Sequence, residues 1–201
     1  RTRLDQARAR SVKLALAHGC RFATSPAGLF GWVDTGVDTD VLSQRMLDED
    51  ADLSQRLPDG HVDLVRMREG GLGGVFLSIW VDPRKYRGER AWRRTLALID
   101  AVDDLVEEHP DQAALCTTGD EVRAAFAAGK AAILMGVEGA HGLGTLDVEE
   151  ALTRTQQLYR RGVRYMTITW STDNEFGHSS TGRQPLMGLT DAGRALVTEM
   201  N

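Results

Sequence analysis

Hydrophobic spacing along this chain changes period several times, and each change marks an element. From Gly73 to Val81 the run is almost continuously apolar and closes on Asp82-Pro83, which predicts a buried strand. Residues 88–108 instead place Trp92, Leu96, Ile99, Val102 and Val106 at helical spacing, predicting a long amphipathic helix. A shorter helix is expected over Asp120–Ala128. A second apolar run from Lys130 ends abruptly at Glu138, and a glycine-rich turn carrying His141 follows. Asp147–Arg161 reads as a helix stopped by Gly162, Val163–Thr169 as a strand, and Thr190-Asp191 as the start of a last helix. Upstream, residues 2–18 have helix-forming composition with Gly19 as a stop, and Leu29–Val33 reads as a short strand. A polar helical stretch is expected through the forties and fifties.

Strands alternating with helices of about 10–20 residues are the signature of βα units on a parallel sheet, so the fold class is α/β. The pattern holds four strand candidates, whereas a closed (β/α)₈ barrel needs eight. There is no internal repeat, low-complexity tract or linker, so the reading is of one domain that is truncated. The chain begins at Arg1 and stops at Asn201 within a helical pattern, which predicts a piece of something longer.

Composition narrows the function classes. With 42% hydrophobic and 26% charged residues the 201-residue chain can bury a substantial core. A net charge of −5 argues against a nucleic-acid partner, which would call for a basic face. Cys20 and Cys116 lack the CxxC spacing of a zinc knuckle or thioredoxin site and fit a reducing compartment. No apolar stretch approaches the roughly 20 residues of a membrane span.

Polar residues gather at three strand ends: Asp34-Thr35-Gly36-Val37-Asp38, Glu138 with His141, and the stretch Trp170–Ser180. A parallel sheet puts such loops on one side, so carboxylates far apart in sequence can converge on a cation or a polar substrate. A more conspicuous string, Asp59-Gly60-His61-Val62-Asp63, has His-x-Asp spacing suited to zinc, but it sits in a turn that no strand precedes, so a surface or helix-start His-Asp in a polar loop is expected instead. His141 and His178 are expected as loop histidines bonded to backbone, and Trp80 and Trp92 as core.

Four stretches carry a resemblance. Asp63–Phe76, Gly136-Val137-Glu138-Gly139-Ala140-His141, Gly162–Thr169 and Gly188–Gly193 with the terminal Glu199-Met200-Asn201 resemble segments of the membrane (renal-type) dipeptidases, zinc metallopeptidases of the amidohydrolase-like barrel superfamily. The likeness runs from about residue 31 to 201 and leaves 1–30 as an unassigned helical segment. It implies the amino-terminal half of a (β/α)₈ TIM-like barrel.

The resemblance further implies two zinc ions bridged by a glutamate, with a metal-activated hydroxide attacking the amide bond of a dipeptide. Glu138 falls on the bridging catalytic glutamate. Asp38 falls on a metal-ligand position of the family's Asp-x-His-x-Asp motif, whereas Gly36 stands where its imidazole should be. The string around His61 corresponds to a downstream segment that supplies no ligands. Trp170 replaces a substrate-contacting histidine; Asn174, with Asp173, is placed to meet a substrate terminus. The family's remaining ligands come after the point where this chain stops, so the isolated chain is expected to be inactive. The resemblance also suggests a homodimer in the complete protein. The alternative is a non-catalytic barrel relative that lost its metal centre at Gly36 and binds a ligand or partner instead.

Overall fold

The computed structural model describes residues 51–58, 62–183 and 187–201, together with Lys13, Ala17 and the backbone of 21–22 and 33–34. The chain divides into two units, 1–39 and 40–201. In the first, Lys13 and Ala17 are helical, as expected for 2–18, whose other residues lie outside the described ones. Strands β1 (Arg21–Phe22) and β2 (Val33–Asp34) pair antiparallel, Arg21 opposite Asp34. Of the strand expected over Leu29–Val33, only Val33 is described. Gly36, Asp38 and His61 lie outside the described residues.

The second unit runs α1 (Leu64–Gly70), β3 (Gly74–Trp80), α2 (Glu89–Glu108), β4 (Ala113–Leu115), α3 (Gly119–Ala127), β5 (Ala131–Glu138), a 3₁₀ turn (Ala140–Leu143), α4 (Val148–Arg160), β6 (Val163–Met166) and α5 (Asp191–Glu199). Every pairing in its sheet is parallel. Strand β3 pairs with β5 along its whole length, from Gly74 opposite Ala132 to Trp80 opposite Glu138. Strand β4 pairs with the first residues of β5, and β6 with its later part, Met135 to Val137, with a register shift between Met135 and Gly136.

Two elements of the second unit escaped the sequence pattern. Strand β4 has three residues, too few for a period to show. Helix α1 is too short to show a period, although its cap, Asp63, bears out the helix start that is one of the two readings of the polar string around His61. One expectation is corrected: residues 51–58 are irregular rather than helical. There the Asp52 carboxylate takes the Ser54 N–H at 2.8 Å, offering the backbone a turn in place of a helical bond.

Alternation sorts the strand residues between two faces. Leu77, Ile79, Ile133, Met135 and Val137 pack into the main core with Trp92, Leu98, Ile99 and Val102 of α2. On the other face, toward the amino-terminal ends, Ala125 and Val122 of α3 meet Ala132 and Leu134. Helix α4 is tied to α2 by buried Arg154, which donates to Leu143 O at 2.7 Å, pairs with Glu89 and Glu150 at 2.6 Å, and lies over the Trp92 ring. Among the described residues no helix is long and apolar enough to cross a membrane.

Asp63 anchors the start of α1. Its buried carboxylate takes the Arg66 N–H at 2.7 Å and the Leu57 N–H at 3.2 Å, and also pairs with the Arg66 guanidinium. Burial pushes its pKa up, but the Arg66 and Leu57 hydrogen bonds and the Arg66 charge outweigh it, and the net direction is down. A carboxyl lowered in the fold contributes stability that is present above its unfolded value and lost as pH falls through the folded one. Stability is therefore expected to drop on acidification below about pH 4. Asp63→Ala is expected to cost about 2 kcal/mol at neutral pH and to flatten that part of the profile, read by urea unfolding across pH.

Candidate active site

The site grows from the carboxyl end of β5. The buried run Ala131–Val137 needs no polar atom for packing, so the carboxylate that ends it is set by something other than the core. Glu138 is half-buried, and its Oε2 accepts from Ser78 Oγ at 3.1 Å. Ser78 lies two residues before Trp80 on β3, and Trp80 is the register partner of Glu138. No Lys or Arg forms an ion pair with Glu138 among the described residues. A partly exposed carboxylate without a counter-charge is free to take up a cation.

Aromatic groups surround it. A Cβ on Gly136 would fall 2.1 Å from Tyr165 Cζ, so glycine there lets the Tyr165 ring lie against the strand. Tyr165 also meets Phe76 with ring centroids 5.1 Å apart, and these two rings remain 43% and 45% exposed. Burial and then the Glu138 charge push the Tyr165 hydroxyl's pKa up. Trp80 and Trp170 sit with centroids 5.0 Å apart. Trp80 is buried, as expected, but belongs to the Glu138 side of the sheet rather than to the main core, and its Nε1 has no acceptor among the described residues.

The turn after Glu138 is held from both sides. The Gly139 N–H donates to Thr167 Oγ1 at 2.8 Å, and His141 Nε2–H donates to Val81 O at 2.7 Å. Burial lowers the His141 pKa; the Val81 bond and the charges of Glu175, Glu138 and Asp82 oppose it without reversing it. His141 is thus a backbone-bonded loop histidine, as expected. The third loop is shaped by its own side chains. Asn174 Nδ2 donates to Ile168 O at 2.7 Å, while its Oδ1 takes the N–H of Phe176 at 2.9 Å and of Gly177 at 3.1 Å. Asp173 takes the N–H of Ser179 and of Arg183, each at 2.8 Å, and His178 Nδ1 lies 3.9 Å from it. A cleft of about 860 Å³ opens among these loops, lined by Arg84, Arg87, His141, Asp173 and Asn174.

The structure therefore brings Glu138, Ser78, Trp80, Trp170 and Tyr165 to one end of the sheet, with Asn174 on the neighbouring cleft. Ser78 and Tyr165 were not singled out in the sequence, although counting by two along β3 from Trp80 would have found Ser78. Among the described residues no three His, Cys, Asp or Glu side chains form a metal-binding group. Glu138 offers a suitable donor: two oxygens, no counter-ion among the described residues and a place at a strand end.

Fold and site define an α/β protein with a parallel sheet and a carboxylate site at its strand ends. The sequence profile of the membrane dipeptidases (peptidase family M19) matches residues 29–201. The chain belongs to this family. It is 35% identical over 150 residues to the dipeptidase tcpJ of Claviceps purpurea (strain 20.1), covering 71% of this chain and 34% of that protein. It is 34% identical over 151 residues to the dipeptidase verJ of Clonostachys rogersoniana, covering 70% and 38%. Among solved structures it is similar to the dipeptidase AC, a family M19 metallopeptidase, with TM-score 0.68 and 29% identity over 80% of this chain and 51% of that one. It is also similar to a metallopeptidase from Rhodobacter sphaeroides liganded with a phosphinate mimic of the dipeptide L-Ala-D-Ala, with TM-score 0.67 and 26% identity over 79% and 53%. The chain thus spans about a third of the curated relatives and about half of these structures.

Proposed function

We propose that this chain is part of a zinc-dependent dipeptidase and supplies one side of its metal centre from the amino-terminal half of a (β/α)₈ barrel. The observation that carries this reading is Glu138: a half-buried carboxylate at a strand end, positioned by Ser78 and lacking a counter-cation among the described residues. Its two oxygens would help to hold the metal, and the family resemblance gives Asp38 a ligand position as well. When bound, zinc would supply Lewis acidity to the substrate carbonyl and acidify a water. The protein's own part is to hold the Glu138 carboxylate, to exclude water with the Trp80–Trp170 pair, and to keep the third loop in shape through Asn174 and Asp173. In this reading Trp170 packs beside the substrate, since its indole N–H can donate but cannot take a proton. Asn174 acts by shaping the rim, because its amide already makes three bonds within the loop.

The substrate class rests on the relatives named dipeptidases, and L-Ala-D-Ala is a fitting first probe. The test is hydrolysis of L-Ala-D-Ala and L-Ala-L-Ala by the complete protein with added zinc, before and after chelation, alongside calorimetric titration with zinc. Zinc binding together with chelator-sensitive hydrolysis supports the proposal. Gly36 favours a second reading, a relative that has lost its metal centre. Absence of both from the complete protein would favour that reading instead; in this chain alone, which spans about a third of its curated relatives, absence is expected on either reading. Recovery of both in Gly36→His would locate the defect at the missing imidazole.

A further inference from the structure

Positive charge is concentrated in the loop that joins β3 to α2 and in the first turns of that helix. Residues 84–94 hold six basic side chains, Arg84, Lys85, Arg87, Arg90, Arg93 and Arg94, and one acid, Glu89, in a chain whose net charge is −5. Glu89 is engaged elsewhere, paired with buried Arg154 at 2.6 Å. Packing does not call for such a run, since Arg94 is half-buried and the other five are exposed. Like charges this close repel one another, so the cluster is a cost unless an anion meets it.

Local contacts fix where these cations stand. Buried Asp82 takes Arg84 Nε at 2.9 Å and Nη2 at 3.0 Å, which leaves Nη1 off that carboxylate. Arg87 Nε donates to Pro83 O at 3.2 Å. Arg90 and Arg94 lie over the Tyr86 ring, 5.8 and 5.4 Å from its centroid, where the π-face offsets part of their repulsion. Lys85, Arg87, Arg90 and Arg93 have no ion-pair partner among the described residues.

Arg84 and Arg87 also line the cleft of about 860 Å³, and the loops that form it follow β3, β5 and β6. Those are the carboxyl ends of parallel strands, where such sheets present their ligands. The other charged groups of the lining are His141, Arg183, Asp173 and Glu175. Burial lowers the His141 pKa, so the ring adds no charge at neutral pH. Arg183 is exposed and has no ion-pair partner among the described residues. The two acids differ. Asp173 has one oxygen on the Ser179 N–H and the other on the Arg183 N–H, whereas the exposed Glu175 side chain makes no hydrogen bond or ion pair among the described residues. The cleft thus joins three guanidinium groups to a basic rim, with Glu175 as the one carboxylate left to oppose them.

We propose that this cleft is a subsite for an acidic side chain, through which Arg84, Arg87 and Arg183 favour dipeptides that carry a carboxylate beyond the terminal one. Guanidinium groups suit this ligand because their N–H groups match the two oxygens of a carboxylate. The rim residues Lys85, Arg90 and Arg93 extend the positive field over which such a substrate is drawn in. Glu175 opposes it and sets how strong the preference can become. Exposed pairs are individually weak, each a factor of a few, so two or three amount to about tenfold and fade as salt rises. The reaction to which the preference applies rests on the dipeptidase reading, while the binding of the acidic group does not.

The test compares L-Ala-L-Glu with L-Ala-L-Gln and L-Glu-L-Ala with L-Gln-L-Ala, pairs that differ by one charge and little in shape. In the complete protein, kcat and KM are measured with zinc, and Kd by calorimetry after chelation, so that binding is read without turnover. In at least one pair the acidic member is expected to be favoured about tenfold at low salt, in KM and Kd rather than in kcat, because the charge lies away from the reacting amide. That preference is expected to shrink as salt rises, to vanish in Arg87→Glu/Arg183→Glu and to grow in Glu175→Gln, with circular dichroism to confirm that each variant folds. The salt series needs no variant and decides the matter even if one misfolds. Equal values within both pairs overturn the proposal, as does a preference that ignores salt or survives the double reversal. Charge-selective binding without hydrolysis of any dipeptide would sustain the subsite and remove the dipeptidase reading. Hydrolysis without charge selection would do the opposite, and absence of both would end both.

Discussion

In the complete protein, Glu138→Gln is expected to lower zinc affinity and zinc-dependent dipeptide hydrolysis by about a hundredfold or more while leaving the fold in place. The two halves of this expectation have separate physical grounds. Loss of an outer-shell partner alone costs metal sites roughly 10–100-fold, so loss of a bridging ligand lies at or beyond the upper end. Stability is another matter. Among the described residues Glu138 makes one side-chain hydrogen bond, to Ser78, and no ion pair. A glutamine carbonyl can still accept from Ser78 Oγ, and removing an uncompensated charge costs the fold nothing comparable. The change in unfolding free energy is expected to stay within about 1 kcal/mol. Calorimetric zinc titration, dipeptide turnover and urea unfolding of the same preparation give the three readouts. A variant that keeps full zinc affinity and turnover would remove Glu138 from the metal centre. One that unfolds several kcal/mol more easily would make it a structural residue.

Gly144→Ala is expected to be the most destabilising single methyl addition near the site. Gly144 follows the 3₁₀ turn after Glu138, and its backbone lies in the left-handed region at φ 67°. A Cβ there would sit 2.3 Å from Gly88 O and 2.8 Å from Trp92 N, both backbone atoms at the start of α2. Alanine therefore meets an unfavourable conformation and a contact that only movement of the helix can relieve. These effects together amount to about 2–5 kcal/mol, a large fraction of the roughly 5–15 kcal/mol that holds a typical domain folded. The junction is also where Thr95 Oγ1 binds Gly142 O and Arg154 binds Leu143 O, so strain there loosens the turn that aims Glu138. Gly129 provides the control, since its φ is 73° but nothing lies within 4 Å of its added Cβ. Gly129→Ala is expected to cost only about 1 kcal/mol, the conformational share. Equal unfolding free energies for the two variants would mean that the close approach at Gly88 carries no energetic weight.

Much of the architecture was legible because its signals are local. The long helix α2 and the strand ending in Glu138 could be placed within a residue or two, since helical spacing and abrupt polar punctuation act over a few positions. Helix starts were legible for the same reason, as with Thr190, whose hydroxyl takes the Gly193 N–H at 3.0 Å. Strand β4 was not legible, because its three residues become a strand only by pairing with Ala131–Ile133. Asp63 looked like half of a zinc motif, yet its carboxylate is committed to the first turn of α1. A short polar string cannot announce which of its groups the backbone will claim.

By itself the sequence determined the alternation of helices and strands, the position of Glu138 at a strand end, and a likeness strong enough to point to the family. All three follow from spacing and residue type over short stretches. Only the tertiary structure decided that β5 lies beside β3, that Ser78 reaches Glu138 from 60 positions away, and that Trp80 turns toward Trp170 instead of the main core. Those choices depend on register and on which face of a strand is covered. Both are settled by contacts between segments far apart in the chain, where no local period can register them.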